Sequence, residues 1–218
     1  MQIQSGNQTS SSLNMQQGNQ HVSMKMNHGG HEVFDVHEVL SGTIDTLNQY
    51  MILRQLVKDQ ELLNILNRQY QFISDEYNML VQCFSTGQDP SHGTKPYQMN
   101  QDNQVIFGMK PTQPKKPAQS TNELSDGCIS SQMLSMLKSM AGMKAVAACE
   151  VTNPIVRRVL AESVPNCAEM AYELFLYQNK KQFYQVPQLS QQDMQIMLNS
   201  FAPTHNQPPM SQPNNMMQ

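Results

Sequence analysis

The fold is decided by the stretch CEVTNPIVRRVLAESVPNCAEMAYELF, residues 149–175, which contains the end of one predicted helix and most of the next. Asn153 followed by Pro154 is a helix start, because Asn caps free N–H groups and Pro needs no N–H at the first helical position. Apolar residues then recur every three or four positions, which predicts a buried helical face. Its inward residues are Val156, Leu160, Val164, Cys167, Ala171 and Leu174, and Pro165 is expected to kink the helix.

Three further amphipathic helices are predicted toward the amino terminus. One helix runs from about Leu124 to Val151, and its predicted inward-facing residues are Leu134, Leu137, Met140, Met143 and Ala147. Two earlier helices meet at a break near residues 57–59, where Asp59 is the predicted N-cap of the second helix and Gly87 its end. The inward stripes of these two helices are Val36, Leu40, Ile44, Leu47 and Met51, then Leu62, Leu66, Tyr70, Ile73, Tyr77, Leu80 and Phe84. The first helix is predicted to start at a capping box of Asp35 and Glu38.

The remaining chain is rich in amide, Ser and Pro residues and divides the protein into five segments. Proline at the density seen in PTQPKKP, residues 111–117, prevents a continuous helix or strand. So long a connection is either a crossover or a disordered insertion. The segments are a disordered Gln/Met/His-rich tail over 1–31, a helical hairpin over 32–85, a Pro/Gln/Lys-rich linker over 86–122, a second hairpin with a short terminal helix over 123–201, and a disordered tail over 202–218. A capping box of Ser190 and Asp193 begins the terminal helix, which ends by Phe201.

Composition and charge exclude several classes of protein. A formal net charge of −3 provides no basic field for nucleic acid. No apolar run approaches the ~18 residues needed to cross a bilayer, and no apolar segment of a secretory signal stands in the first 30 residues. The four cysteines, Cys83, Cys128, Cys149 and Cys167, contain no Cys-x-x-Cys pair and are expected to be buried free thiols. We therefore expect no membrane span and no nucleic-acid partner.

Catalytic and metal-binding motifs are also missing, so we assign no catalytic, cofactor-binding or metal-ligand residue and no cofactor. A di-iron site in a four-helix bundle needs Glu-x-x-His on two helices, and no glutamate in the chain is followed by a histidine at that spacing. Histidines gather instead near the amino end, as His21, His28, His31 and His37 beside Met24, Met26, Glu32 and Asp35. This cluster either holds Zn²⁺ or copper loosely or is only a polar tail that contains histidines. No phosphate loop, dinucleotide fingerprint or hydrolase elbow is present.

The second half of the chain resembles a known family. The motif CEVTNP at 149–154, Arg157-Arg158, Asn166, MAYE at 170–173 and YQVP at 184–187 are similar to the coat F family of endospore-forming bacteria. The resemblance implies a ferritin-like helical bundle, a place in the spore coat after synthesis in the mother-cell cytoplasm, and other spore coat proteins as partners. It brings no established catalytic residues, and it leaves open whether the chain also forms a homo-oligomer.

These observations lead to an all-α, ferritin-like four-helix bundle made of two hairpins that a long crossover linker joins. In this arrangement the second and third helices run parallel, so Cys83 and Cys128 lie at opposite ends of the bundle. The function expected is a non-catalytic structural component of the spore coat, with exposed Lys115 and Lys116 and a Tyr-rich end (Tyr172, Tyr177, Tyr184) suited to assembly. The alternative is a soluble ferritin-like metal-binding or redox protein that uses the amino-terminal His/Met cluster.

Overall fold

The computed structural model describes residues 28–204, and this part of the chain is all-α. Its helices are α1 (Gly30–Arg54), α2 (Gln60–Thr86), α3 (Asp126–Glu150), α4 (Pro154–Lys180) and the short α5 (Gln191–Leu198). A single 3-10 turn at Thr121–Glu123 precedes α3, and no strand longer than an isolated bridge occurs between residues 28 and 204. Most of the two predicted tails, with His21, Met24 and Met26, lies outside the described residues.

The predicted helix boundaries are confirmed wherever a capping side chain marks them. Asp59 accepts a hydrogen bond from the Glu61 N–H, and Asn153 accepts from the Ile155 and Val156 N–H groups. Ser190 accepts from the Asp193 N–H at the start of α5. Gly87 ends α2 in the left-handed region with φ 63°, which glycine adopts without steric cost.

The predicted start of α1 is wrong by nearly two turns, because the N-cap is Gly29 and not Asp35. The helix begins at Gly30, so the first hairpin extends two residues into the segment predicted as a disordered tail. Asp35 and Glu38 therefore lie inside the helix and not at its cap. The reason is a long-range contact, because the Glu32 side chain binds the α3–α4 turn and holds the first turn of α1 in place.

The four long helices form a bundle in which α1 and α4 each pack against both α2 and α3. One end of the bundle unites the end of α1, the start of α2, the start of α3 and the end of α4, through buried residues such as Tyr50, Leu62, Ile129 and Leu174. The other end unites the opposite termini through Val36, Leu80, Val151 and Val156. Hence α2 and α3 are parallel and diagonal to each other, and the linker crosses the full length of the bundle. The predicted crossover is confirmed, with Cys83 and Cys128 at opposite ends.

The apolar stripe predicted for α1 is displaced from the true core face. Val36 is buried as expected, but Leu40 and Leu47 are half-buried, and Ile44 and Met51 are 42% and 53% exposed. The buried face instead runs through Val36, Val39, Thr43, Thr46, Tyr50 and Leu53. The two threonines can be buried because their hydroxyls donate to the Val39 and Gly42 carbonyl oxygens one turn earlier.

The first half of the linker packs along α4 and is not a disordered insertion. Tyr97 is buried, and its N–H donates to the Asn166 side chain 2.8 Å away. Further on, the Ile106 N–H donates to Asn179, and Gly108 pairs with Val186 beyond the helix. Residues 111–123, which include the Pro-rich motif, are exposed. The linker is therefore a strap whose second half stands open to solvent.

Two of the four cysteines depart from the predicted burial. Cys83 and Cys167 are buried, whereas Cys128 and Cys149 are exposed near opposite ends of α3, and all four are free thiols. The exposed pair falls outside the buried stripe of α3, which contains Ile129, Met133, Leu137, Met140 and Ala147.

Candidate functional site

A buried polar layer crosses the middle of the bundle and begins with an ion pair between diagonal helices. The Lys144 Nζ on α3 lies 2.8 Å from a carboxylate oxygen of Glu76 on α2, and both side chains are almost fully buried. The Asn166 side chain on α4 donates to the other Glu76 oxygen at 2.8 Å. Burial by itself would lower the pKa of Lys144, but the Glu76 charge outweighs it and raises the pKa above its ordinary value. The ammonium group is therefore held in its charged form.

The layer also contains a second buried carboxylate, Glu173 on α4, which lies closer to the end of the bundle where α3 starts. It accepts hydrogen bonds from the Arg68 guanidinium, from the Tyr97 hydroxyl at 2.6 Å and from the Gln69 side chain at 3.1 Å. The Gln69 side chain in turn accepts from the Tyr50 hydroxyl at 2.8 Å. Burial, followed by the negative charge of Glu173, raises the pKa of Tyr97. Because Asn166 also accepts from the Tyr97 N–H, the layer joins all four long helices and the linker in one hydrogen-bonded network.

The residues of this layer do not fit a metal ion of the kind that ferritin-like bundles hold between carboxylates. Each buried carboxylate already faces a cation of the protein, Lys144 beside Glu76 and Arg68 beside Glu173. A divalent cation would have to displace these groups and would then repel them. Within residues 28–204, no group of three or more His, Cys, Asp or Glu side chains is arranged to hold a metal ion.

Glu32 forms a separate buried site between the two hairpins. Its carboxylate accepts from the Thr152 and Asn153 N–H groups at 3.0 and 3.1 Å and from the Thr152 hydroxyl, and it lies beside the His28 ring. Burial alone would raise the pKa of Glu32, but the hydrogen bonds from Thr152, His28 and Asn153 outweigh it and keep the pKa below its ordinary value. The Thr-Asn-Pro turn therefore both starts α4 and anchors α1.

The predicted His/Met cluster is only partly within the described residues, and of these members only His28 and Glu32 come into contact. His28 contacts Glu32 and lies 5.1 Å from the Phe84 ring, between ring centroids. His31 and His37 are exposed on α1. The described part of the cluster therefore does not bring together enough ligand side chains to bind a metal ion.

The residues predicted to form an assembly surface differ in their exposure. Lys115 and Lys116 are exposed, and the Lys115 ammonium donates only a long 3.4 Å hydrogen bond to the Phe183 carbonyl. Tyr184 is exposed and packs edge-on against Phe175, which stacks on Tyr172. Tyr177, however, is fully buried in the core and does not belong to this surface.

Sequence reasoning missed the polar layer because its members belong to different helices. The available signal was a charged residue at a core position, such as Glu76 three residues after Ile73, or Lys144 next to Met143. Such a position shows that a partner is needed but not which helix supplies it. Within residues 28–204, no helix combines the length and hydrophobicity needed to span a membrane.

Comparison with known proteins finds similarity to spore coat proteins. Residues 125–187, which comprise α3, α4 and the YQVP exit, match the Coat F domain. A spore coat protein F-like protein of Bacillus subtilis (strain 168), YhcQ, is 56% identical over 184 residues, which cover 84% of this chain and 85% of that protein. The similarity therefore extends beyond the domain into the first hairpin. No solved structure matches the chain.

Proposed function

Because the chain belongs to the Coat F family, we propose that it is a structural component of the bacterial spore coat that acts by assembling with other coat proteins. On this proposal it is synthesised in the mother-cell cytoplasm and becomes part of the coat. Its partners are proteins and not nucleic acid, since the net charge of −3 provides no basic surface for a polyanion.

The observation that carries the structural role is the internal neutralisation of the polar layer. Glu76 and Glu173 are bound by Lys144 and Arg68, so neither carboxylate is free to act as a base or a ligand. The cavity beside Glu76 and Lys144 measures about 10 Å³, room for about one water molecule. A layer of this kind favours one fixed arrangement of the helices, which suits a scaffold that presents surfaces to neighbours.

Localisation during sporulation is the direct test. A fluorescent fusion should form a shell around the forespore, and the untagged wild-type chain should appear in the extract of washed mature spores. Absence of the wild-type chain from spores, with normal accumulation in the mother cell, would overturn the coat assignment.

A metal titration separates the proposal from the metal-binding or redox alternative. A ligand that binds only the folded state raises stability, by about 2.7 kcal/mol at a hundred times its dissociation constant. We expect Zn²⁺, Cu²⁺ or Fe²⁺ to leave the melting temperature of the full chain unchanged. A rise that is lost on deleting residues 1–27 would instead favour the amino-terminal His/Met cluster as a metal site, and a rise that persists would show a site in the bundle.

A further inference from the structure

α1 carries a second apolar stripe beside the one that it buries. Leu40, Ile44, Leu47 and Met51 repeat at four- and three-residue spacing along a line displaced toward solvent from the core face, and Val33 continues this line one step beyond the exposed His37. Leu40 and Leu47 are half-buried, and the other three are exposed. This stripe has the regularity of a packed helix surface, yet within residues 28–204 it is only partly covered.

α2 contributes a matching row on the same side of the bundle. Arg68, Phe72 and Asp75 face the linker through contacts with Tyr97 and His92. At 100° per residue, the opposite flank of α2 points toward α1 and solvent. That flank contains Tyr70, Tyr77, Val81 and Phe84, of which Val81 is exposed and the aromatic residues are half-buried. The second stripe of α1 and this row of α2 form a continuous surface, here named the α1–α2 face.

The α1–α2 face has no Asp, Glu, Lys or Arg in either row, although α1 and α2 contain nine of these side chains, and His37 lies in the α1 row. Each of the nine has another position in the fold. Two are buried, Glu32 and Glu76, and three contact the linker, Glu61, Arg68 and Asp75. Asp35 and Glu38 line the groove toward α3, and Asp45 lies two turns after Glu38 on the same side of α1. Arg54 is the last residue of α1.

We propose that the α1–α2 face binds the same face of a second copy of this chain, as a two-fold symmetric dimer. In such a contact each patch meets itself, so a charged patch would meet its own charge, whereas an uncharged apolar patch is self-complementary. The Tyr70 and Tyr77 hydroxyls and Asn48 at its rim can donate and accept hydrogen bonds across the interface.

The size of the face suits the apolar centre of a dimer interface, with the polar rim supplying the remainder. The rows over 33–51 and 70–84, each about 10 Å wide, present about 500 Å². A standard specific interface buries about 800 Å² on each partner. The groove between α1 and α3 suits self-pairing less well, because Asp35 and Glu38 line it and would approach their symmetry mates. The dimer extends the proposed coat function without depending on it, since it forms from purified protein alone.

The oligomeric state of the purified full-length chain tests the proposal. We expect a dimer by light scattering after size-exclusion chromatography, at concentrations above about 10 µM. Ile44→Glu should convert it to a monomer, because it places one charge and its symmetry mate in the apolar interface. Met51→Glu, at a more exposed position of the same stripe, should do the same with less risk to the fold. Circular dichroism of each variant reports whether the helices remain.

The matched control is Val146→Glu on α3, a residue 65% exposed beside the α1–α3 groove. It introduces the same charge into an apolar position on another face and should leave the dimer intact. A monomeric wild-type chain overturns the proposal and points to a different coat protein as the partner of this face. An oligomer that survives both Ile44→Glu and Met51→Glu, or one that Val146→Glu dissociates equally, overturns it as well.

Discussion

Lys144 on α3 and Glu76 on α2 form an ion pair across the diagonal of the bundle, with 2.8 Å between the ammonium nitrogen and a carboxylate oxygen. These helices do not pack against each other as neighbours, so the pair passes through the core between them. Asn166 from α4 holds the second carboxylate oxygen. The two charges thus connect two helices of different hairpins that are not packed as neighbours in the bundle.

Removing one partner of this pair should destabilise the protein strongly. Lys144→Met leaves a buried carboxylate without its cation, and we expect the free energy of unfolding to fall by about 3–5 kcal/mol in urea denaturation. The double variant Lys144→Met with Glu76→Gln removes both charges while Gln still accepts from Asn166, so it should be more stable than Lys144→Met alone. Equal stability of the single and double variants would contradict a direct coupling of the two charges.

The Glu32 carboxyl should make stability depend on pH in the acid range. Its pKa in the folded protein lies below the ordinary value of 4.5, so the unfolded chain binds the proton more readily. The stabilising contribution is complete above that ordinary value and is lost as the pH falls through the folded pKa. Glu32→Gln should flatten the acid side of the curve of unfolding free energy against pH. Thr152→Val, which removes one hydrogen bond to the carboxylate, should flatten it partly, and an unchanged slope in Glu32→Gln would refute the assignment.

The same Leu→Ala change should destabilise the protein strongly in α4 and hardly at all in α5. Leu160 is fully buried, and its truncation should cost about 2–5 kcal/mol of unfolding free energy through lost burial and a residual cavity. Leu198 is 69% exposed on α5, where the change should stay within about 0.5 kcal/mol. Leu160→Ala should also lower the amount of protein in spores. A large loss of stability in Leu198→Ala would show that α5 packs against the bundle in solution.

A glycine at position 182 should stabilise the end of α4. Gln182 has φ 61°, in the left-handed region that costs a residue with a side chain about 1–2 kcal/mol. Gln182→Gly should raise the unfolding free energy by about 0.5–1 kcal/mol, after the greater chain entropy of glycine is subtracted. Gln182→Ala retains the strained backbone and serves as the control, because it should give no gain.

The linker lysines offer a test of covalent assembly. Lys115 and Lys116 are exposed, and the chain is rich in glutamine, so an isopeptide bond to a neighbouring chain would release ammonia from the glutamine amide. Changing both lysines to Arg retains the charge but removes the primary amines. The double variant should reach the spore and yet be extracted by detergent more readily than wild type. Lys138→Arg, at an exposed site on α3, is the control, and equal extraction of all three proteins would exclude cross-linking through Lys115 and Lys116.

The sequence by itself determined the helices and most of their boundaries, because capping is local. The ends of helices are marked through contacts within a few residues, by Asp59, Asn153, Ser190 and Gly87. Each was predicted from the adjacent residues in the sequence. The length of the linker allowed either a crossover or a disordered insertion, and the resemblance to the coat F family implied the crossover.

Only the tertiary structure decided which of the two apolar stripes of α1 is buried. Both repeat at helical spacing, and the core face contains Thr43, Thr46 and Tyr50, whose polar groups become acceptable inside only through bonds to Val39, Gly42 and Gln69. The start of α1 likewise depends on Glu32 binding a turn 120 residues away in sequence. The buried layer of Glu76, Lys144, Arg68 and Glu173 has the same origin, because the stability of a buried charge depends on a partner that the fold brings from another helix.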